Sequence, residues 1–175
     1  MDRKALAPET WTAPSGATVT IRPIRAADFE LEKAFVSGLS PATGYQRLMS
    51  ARRPSDDELR RFTDIDYEHE LALIATVIMD GKERQVGVAR YVKDERSPGE
   101  AEFAIVLADD WQRGGLGTKL LGSLIDAART RGVRRLVATT QSSNNGMLAL
   151  ARRLGFRLAP NPASAPITDL AHDLR

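Results

Sequence analysis

The sequence predicts an α/β (α+β) protein, a mixed sheet with helices packed on it. Three observations carry that reading. "ATVTIRPIR" alternates Val19 and Ile21 against Thr20 and Arg22, the period of a half-buried strand. "ELALIATVIM", Glu70 to Met79, is an apolar run closed by Asp80-Gly81, a hairpin signal. "DDWQRGGLGTKLLGSLIDAARTRG" joins the apolar "AEFAIVLA" to a long amphipathic segment through Gly114, Gly115 and Gly117.

Residues 1–16 hold proline, glycine and mixed charge without periodicity and read as a flexible extension, with one domain over 17–175. After the first strand, Asp28 is placed to cap a helix bearing Phe29, Leu31, Phe35 and Leu39. Ser40-Pro41 opens a short helix with Tyr45, Leu48 and Met49. "SDDELRRF" carries a capping box, Ser55 with Glu58. "ELALIATVIM", "QVGVARYV" and "AEFAIVLA" form a meander. Behind the glycines, Leu120, Leu121, Leu124, Ile125 and Ala128 have helical spacing, with Arg129 and Arg131 at the dipole's C-terminal end and Gly132 at C′. "RRLVATT" is a strand, "NNGMLALARRLGF" a helix stopped by Gly155, and Phe156 starts a further strand. A proline-marked loop precedes a last, weakly patterned strand near "ITDLAHDLR".

Composition removes several classes. The chain has 175 residues and a net charge of +2, from 25 basic against 23 acidic residues, which argues against a dedicated nucleic-acid binder. It has no cysteine, which excludes disulfides, thiolate metal sites and an acyl-cysteine intermediate. His69 and His172 are too far apart in sequence for a metal motif and read as surface or packing residues, so no metal site is expected. No run approaches a membrane span and no signal peptide is visible, so no membrane partner is expected and the cytoplasm is the default compartment.

The glycine turn carries the chemistry. A helix start offers unpaired N–H groups and partial positive charge, and glycine lets an anion approach the backbone. "QRGGLG" is therefore either a phosphate cradle or a tight turn without a ligand; it is neither a Walker A loop nor the dinucleotide fingerprint. Gln112-Arg113-Gly114-Gly115-Leu116-Gly117 matches Q/R-x-x-G-x-G/A and so resembles the GCN5-related N-acetyltransferases (GNAT). That resemblance implies the GNAT fold, a mixed, mostly antiparallel central sheet of about six to seven strands with helices on both faces. It implies acetyl-CoA as cosubstrate, its pyrophosphate on the turn from Gln112 to Thr118. Backbone groups of Ile105, Val106 and Leu107 would pair with the pantetheine arm, and Asn144 would stand beside that arm. "RRFTDIDYEHELALIA", "AEFAIVLADDWQRGGLG" and "NNGMLALARRLGF" are similar to the acetyltransferase domain of bacterial protein-lysine acetyltransferases of the Pat type, over nearly the whole chain beyond residue 18. In many of those proteins a long acyl-CoA-synthetase-like region precedes the domain; here neither that region nor a fused sensing domain is expected.

Acetyl transfer to an amine needs a neutral amine, and a lysine of pKa near 10.4 is neutral only about 0.1% of the time at pH 7.4. A base is therefore useful. Glu102 stands in an otherwise apolar strand where the Pat-type domains carry their catalytic glutamate; on alternation alone it is equally a solvent-facing strand residue. Glu70 and Tyr67 are weaker candidates. Many family members protonate the leaving thiolate with a tyrosine, whose place here holds Ala151, so CoA leaves as a thiolate or takes a proton from water. The arginine pairs read as solvated faces, one of which could meet the 3′-phosphate, and Trp111 reads as a packing anchor. The resemblance implies transfer to a protein lysine, such as one on an acyl-CoA synthetase, docked by "SPATGYQRLMSARR" and the loop from Ala159 to Pro166. Two alternatives stand beside it: a small amine or antibiotic as acceptor, and a non-catalytic acyl-CoA sensor. Oligomeric state is open, a homodimer included.

Overall fold

Asp80 and Gly81 both take positive φ, 51° and 76°, the geometry of a type I′ turn, which matches the twist of the strands it joins. It folds β3 (Glu70–Met79) onto β4 (Lys82–Lys93), and the meander continues into β5 (Glu100–Leu107). The computed structural model describes residues 6–48 and 53–175; the side chains of Tyr45 and Leu48, and all of Met49, fall outside that description. The other strands are β1 (Glu9–Thr12), β2 (Thr18–Pro23), β6 (Arg135–Gln141), β7 (Arg157–Pro160) and β8 (Ile167–Asp173). They form one eight-stranded sheet in the order β1-β2-β3-β4-β5-β6-β8-β7. Only β5 and β6 run parallel.

The segment read as a flexible extension is in part a strand. Glu9–Thr12 pairs antiparallel with Thr18–Thr20 and Ile21 of β2. Four residues with a half-exposed pattern give too short a period to announce themselves, and the pairing with β2 supplies what periodicity does not.

Five helices cover the sheet: α1 (Phe29–Ser37), α2 (Pro41–Leu48), α3 (Asp56–Thr63), α4 (Leu116–Thr130) and α5 (Asn145–Arg153). α4 lies on β3, β4 and β5, and α1 lies on β4. Leu120, Leu121, Leu124, Ile125 and Ala128 are all buried, as their spacing requires. Gly132, at φ 83°, follows the C-cap Arg131, and Gly155, at φ 87°, follows the C-cap Leu154. Ser40 and Ser55 cap their helices by accepting from the N–H groups of Thr43 and Glu58, each at 3.2 Å.

Asp28 departs from the cap reading. It stands at the N-cap of α1 but gives its carboxylate to no helix N–H. Arg22 donates to both of its oxygens at 2.8 Å, and the Arg25 N–H donates at 2.7 Å. Arg22 also bonds Glu83 at 3.0 Å, so one guanidinium ties β2, α1 and β4 together. A carboxylate 4% exposed must be paired, and Arg22 is the stronger partner. Burial pushes the Asp28 pKa up, but the bonds from Arg22 and Arg25 outweigh it and hold the group below the ordinary carboxylate range.

Asp28→Ala leaves Arg22 buried with less compensation, and should cost about 3–5 kcal/mol, read as a lower urea midpoint at constant m. Because the folded pKa of Asp28 is depressed, its contribution is full above the unfolded value near 3.9 and lost as pH falls through the folded value. Below about pH 4 the stability of the parent should therefore drop more steeply than that of Asp28→Ala.

Candidate active site

β5 and β6 share register only from Glu100 to Glu102, against Arg135 to Val137. Beyond Glu102 the two strands part. The Ala108 N–H bonds Val86 and the Asp94 N–H bonds Glu100, which fixes the phase of the β4–β5 ladder. By alternation the polar backbone groups of Glu102, Ala104 and Val106 face β4, while those of Ile105 and Leu107 face the opening. Of the three residues expected along the cofactor arm, Ile105 thus presents a free edge, and Leu107 does so through its N–H, its C=O being taken by Gln112. Val106 spends its backbone on Val88 and buries its side chain. A bulge at Val86, between the pairs Ala75–Gly87 and Thr76–Gln85, adds local twist to β4 beside this edge.

The glycine turn sits at the wide end of the opening. Arg113 (φ 64°) and Gly115 (φ 91°) are both left-handed. Gly115 is the N-cap of α4, no side chain caps that terminus, and the first helical bond runs from the Lys119 N–H to the Gly115 C=O. The N–H groups of Leu116, Gly117 and Thr118 are left without helical partners. The three glycines do different work. A Cβ on Gly114 would meet nothing within 4 Å, whereas one on Gly117 would lie 3.4 Å from both Leu107 and Leu150. Gly117 is buried and lets α4 approach β5 and α5. Gly115 supplies the positive φ.

Neighbouring side chains hold the turn. Gln112 donates to the Leu107 C=O and to Thr43, both at 3.3 Å. Asp109 accepts from the Thr43 hydroxyl at 2.7 Å and the Ser40 N–H at 3.0 Å, and chiefly the Thr43 bond lowers its pKa. The start of α2 is thereby fastened to the turn. Arg153 donates to Thr118 at 3.2 Å, bringing a cation to the mouth of α4 that sequence spacing did not single out. Arg113, in the turn itself, is exposed. Asn144 caps α5, accepting from the Met147 N–H at 3.2 Å and donating to Thr140 on β6 at 3.4 Å.

Glu102 lies where β5 and β6 part. Register places Glu70, Val92, Glu102, Val137 and Ala171 in one row across five strands, so all five side chains share a face. Gly87 and Leu107 meet Leu120 of α4, so residues of Leu107's parity face α4 and Glu102 faces away from it. Glu102 is exposed, and neither it nor Glu70 has an ionic or hydrogen-bonding side-chain partner among the described residues; Glu100, in contrast, pairs with Arg135 at 3.6 Å. Tyr67 is brought to another role. Its hydroxyl donates to the Ile24 C=O, and burial pushes its pKa up to about 12, which keeps it protonated and removes it as a base near neutrality. Ala151 is fully buried and offers no donor. His172 packs on Phe156 at 5.0 Å, and Asp66, Glu68 and His69 form an exposed surface group. Trp111 is half-buried against the core.

A parted parallel pair with a free backbone edge thus leads to an uncapped helix start. The family model for the acetyltransferase (GNAT) domain matches residues 18–157, and the chain belongs to that family. It is an acetyl-CoA-dependent N-acetyltransferase by class. Acetyltransferase PA5475 of Pseudomonas aeruginosa is 39% identical over 142 residues, covering 81% of this chain and 76% of that protein. Acetyltransferase Pat of Mycolicibacterium smegmatis is 30% identical over 141 residues, covering 81% of this chain but 42% of that longer protein. The crystal structure of the GNAT domain of S. lividans PAT superposes with a TM-score of 0.84 at 26% identity, covering 95% of this chain and 97% of the other. Among the described residues, no helix is long and apolar enough to cross a membrane.

Gly115→Ala forces a side chain into a left-handed conformation, and should cost about 1–2 kcal/mol in chemical denaturation. Gly114→Ala, with open space and no positive φ, should be nearly neutral in the same measurement.

Proposed function

We propose that this acetyltransferase acts on a lysine side chain of a protein, with Glu102 as general base. The observation that carries the reading is the row Glu70–Val92–Glu102. Val92 is 43% exposed and lies between two unpaired carboxylates on the face where β5 and β6 part. Apolar surface suits the methylene stem of a lysine, and carboxylates suit its ammonium. Similarity to the Pat of M. smegmatis and the S. lividans PAT domain supports the same acceptor class.

Acetyl-CoA supplies the activated acetyl group as a thioester. Its pantetheine arm pairs with Ile105 and Leu107 as an added strand, and its pyrophosphate meets the N–H groups that open α4, beside Arg113 and Arg153. The thioester end then points toward Glu102. Glu102 accepts a proton from the acceptor ammonium, directly or through one water. The amine nitrogen attacks the carbonyl carbon and the C–N bond forms; the nitrogen gives up its second proton to water as the C–S bond breaks. CoA departs as a thiolate or takes a proton from water, since Ala151 has none to give. Transfer is direct, because the chain has no cysteine to hold the acetyl group.

Three measurements test this. Acetyl-CoA at 100 times its Kd should raise stability by about 2.7 kcal/mol, and Gly114→Asp, which sets a carboxylate in open space at the cradle, should remove the shift without unfolding the protein. An unshifted parent at millimolar acetyl-CoA rejects the cradle. Glu102→Gln should lower kcat about 100- to 10,000-fold while leaving acetyl-CoA binding near normal; unchanged kcat between pH 6 and 9 returns Glu102 to a surface role. Labelled acetyl-CoA and a lysate of the host should mark particular protein lysines above the Glu102→Gln background. Label confined to small amines assigns the acceptor to that class instead, and no label over background identifies a non-catalytic binder.

A further inference from the structure

The N-terminal strand runs beside the start of α4 and touches it twice. Trp11 of β1 brings Cζ2 to 3.5 Å and Cη2 to 3.8 Å from the place a Cβ on Gly115 would occupy. Glu9, two residues earlier and so on the same face of β1, gives its carboxylate to Lys119 at 3.2 Å and to the Ser123 hydroxyl. Lys119 and Ser123 are four residues apart, one above the other on the side of α4 that faces β1. A cation in the first turns of a helix opposes the dipole, and Glu9 neutralises it.

Between these contacts this flank of the helix is not closed by core, although its opposite face is packed on the sheet. A cavity of about 580 Å³ runs along its side, lined by Leu6, Glu9, Trp11, Thr118, Gly122 and Ser123 among others. A Cβ on Gly122 would meet nothing within 4 Å. On this side, then, the first two turns of α4 are fixed by Trp11 and Glu9 rather than by continuous core.

We infer that β1 is a clamp that holds the phosphate cradle in its binding geometry, with Trp11 and Glu9 as positioning residues for acetyl-CoA. The inference rests on the cradle reading above. Trp11 backs the left-handed Gly115 that aims the first N–H groups of α4, and Glu9 fixes the roll of the helix about its own axis. Neither residue reaches Glu102, which lies at the opposite end of the free edge of β5, so the clamp acts on cofactor affinity and leaves the chemical step alone.

The experiment compares acetyl-CoA KM and kcat for Trp11→Ala, Trp11→Phe and Glu9→Ala, with circular dichroism and thermal midpoint as checks on folding. Loss of preorganisation in Trp11→Ala should raise KM for acetyl-CoA about tenfold with kcat within about twofold, and Trp11→Phe should restore most of the affinity. Glu9→Ala should raise KM in the same direction. A second readout needs no folded alanine variant. In Trp111→Phe protein, Trp11 is the remaining tryptophan, and its emission should change saturably on titration with acetyl-CoA, half-complete at the Kd given by thermal shift. Acetyl-CoA that binds without changing Trp11 emission, or equal KM in parent and Trp11→Ala, overturns the clamp and leaves the cradle standing. No thermal shift at any acetyl-CoA concentration removes the cradle, and the clamp with it.

Discussion

Two parallel strands that pair for three residues and then separate impose the constraint on which this structure depends. Backbone N–H and C=O groups inside a protein need partners, and a sheet normally provides them on both sides of each strand. β5 has such partners along its β4 side throughout, but on its β6 side only from Glu100 to Glu102. The remaining edge, at Ile105 and Leu107, is an acceptor of strand-like ligands by default. The neighbouring parts follow from that unfilled place. The bulge at Val86 twists β4 next to it, Gly117 lets α4 close over Leu107, and Gln112 takes the last carbonyl so that the chain can turn.

Much of this is legible in the amino-acid order because it is local. Asp80-Gly81 needs only its own two φ angles to make a hairpin, and Gly132 and Gly155 end their helices for the same reason. The apolar stripe of α4 is fixed by spacing within one helix. The glycine turn could be placed between a strand and a helix without any tertiary information. What it holds needed the resemblance, and the division of labour among its glycines needed the fold: only there does Gly117 prove to face Leu150, 33 positions on, and not solvent.

What the sequence hid lay in contacts between separate elements. β1 is paired by a neighbour and clasped by a helix more than 100 residues away, neither of which leaves a mark on "ETWT". Asp28 has the position of a cap, yet Arg22 is six residues back on another element and takes the carboxylate first. Glu70 reads from the sequence as a weaker base candidate; only the register of β3, β4 and β5 sets it in line with Glu102. Arg153 read as half of a solvated arginine pair until α5 packed beside α4 and brought it to Thr118.

The order of strands at the far side of the sheet has a consequence for how the chain is made. β8 lies between β6 and β7, although it is synthesised after both. Until Ile167–Asp173 is in place, β6 beyond Val137 has neither its β8 partner nor, because of the wedge, a β5 partner. Its residues Ala138–Gln141 are then open on both edges, the condition under which nascent strands find the wrong chain. Only when Ile167–Asp173 clears the exit tunnel can it slide between its neighbours and close the gap. The wall of the wedge opposite the free edge therefore forms only after β8, and its quality is decided by a segment translated after both of its neighbours.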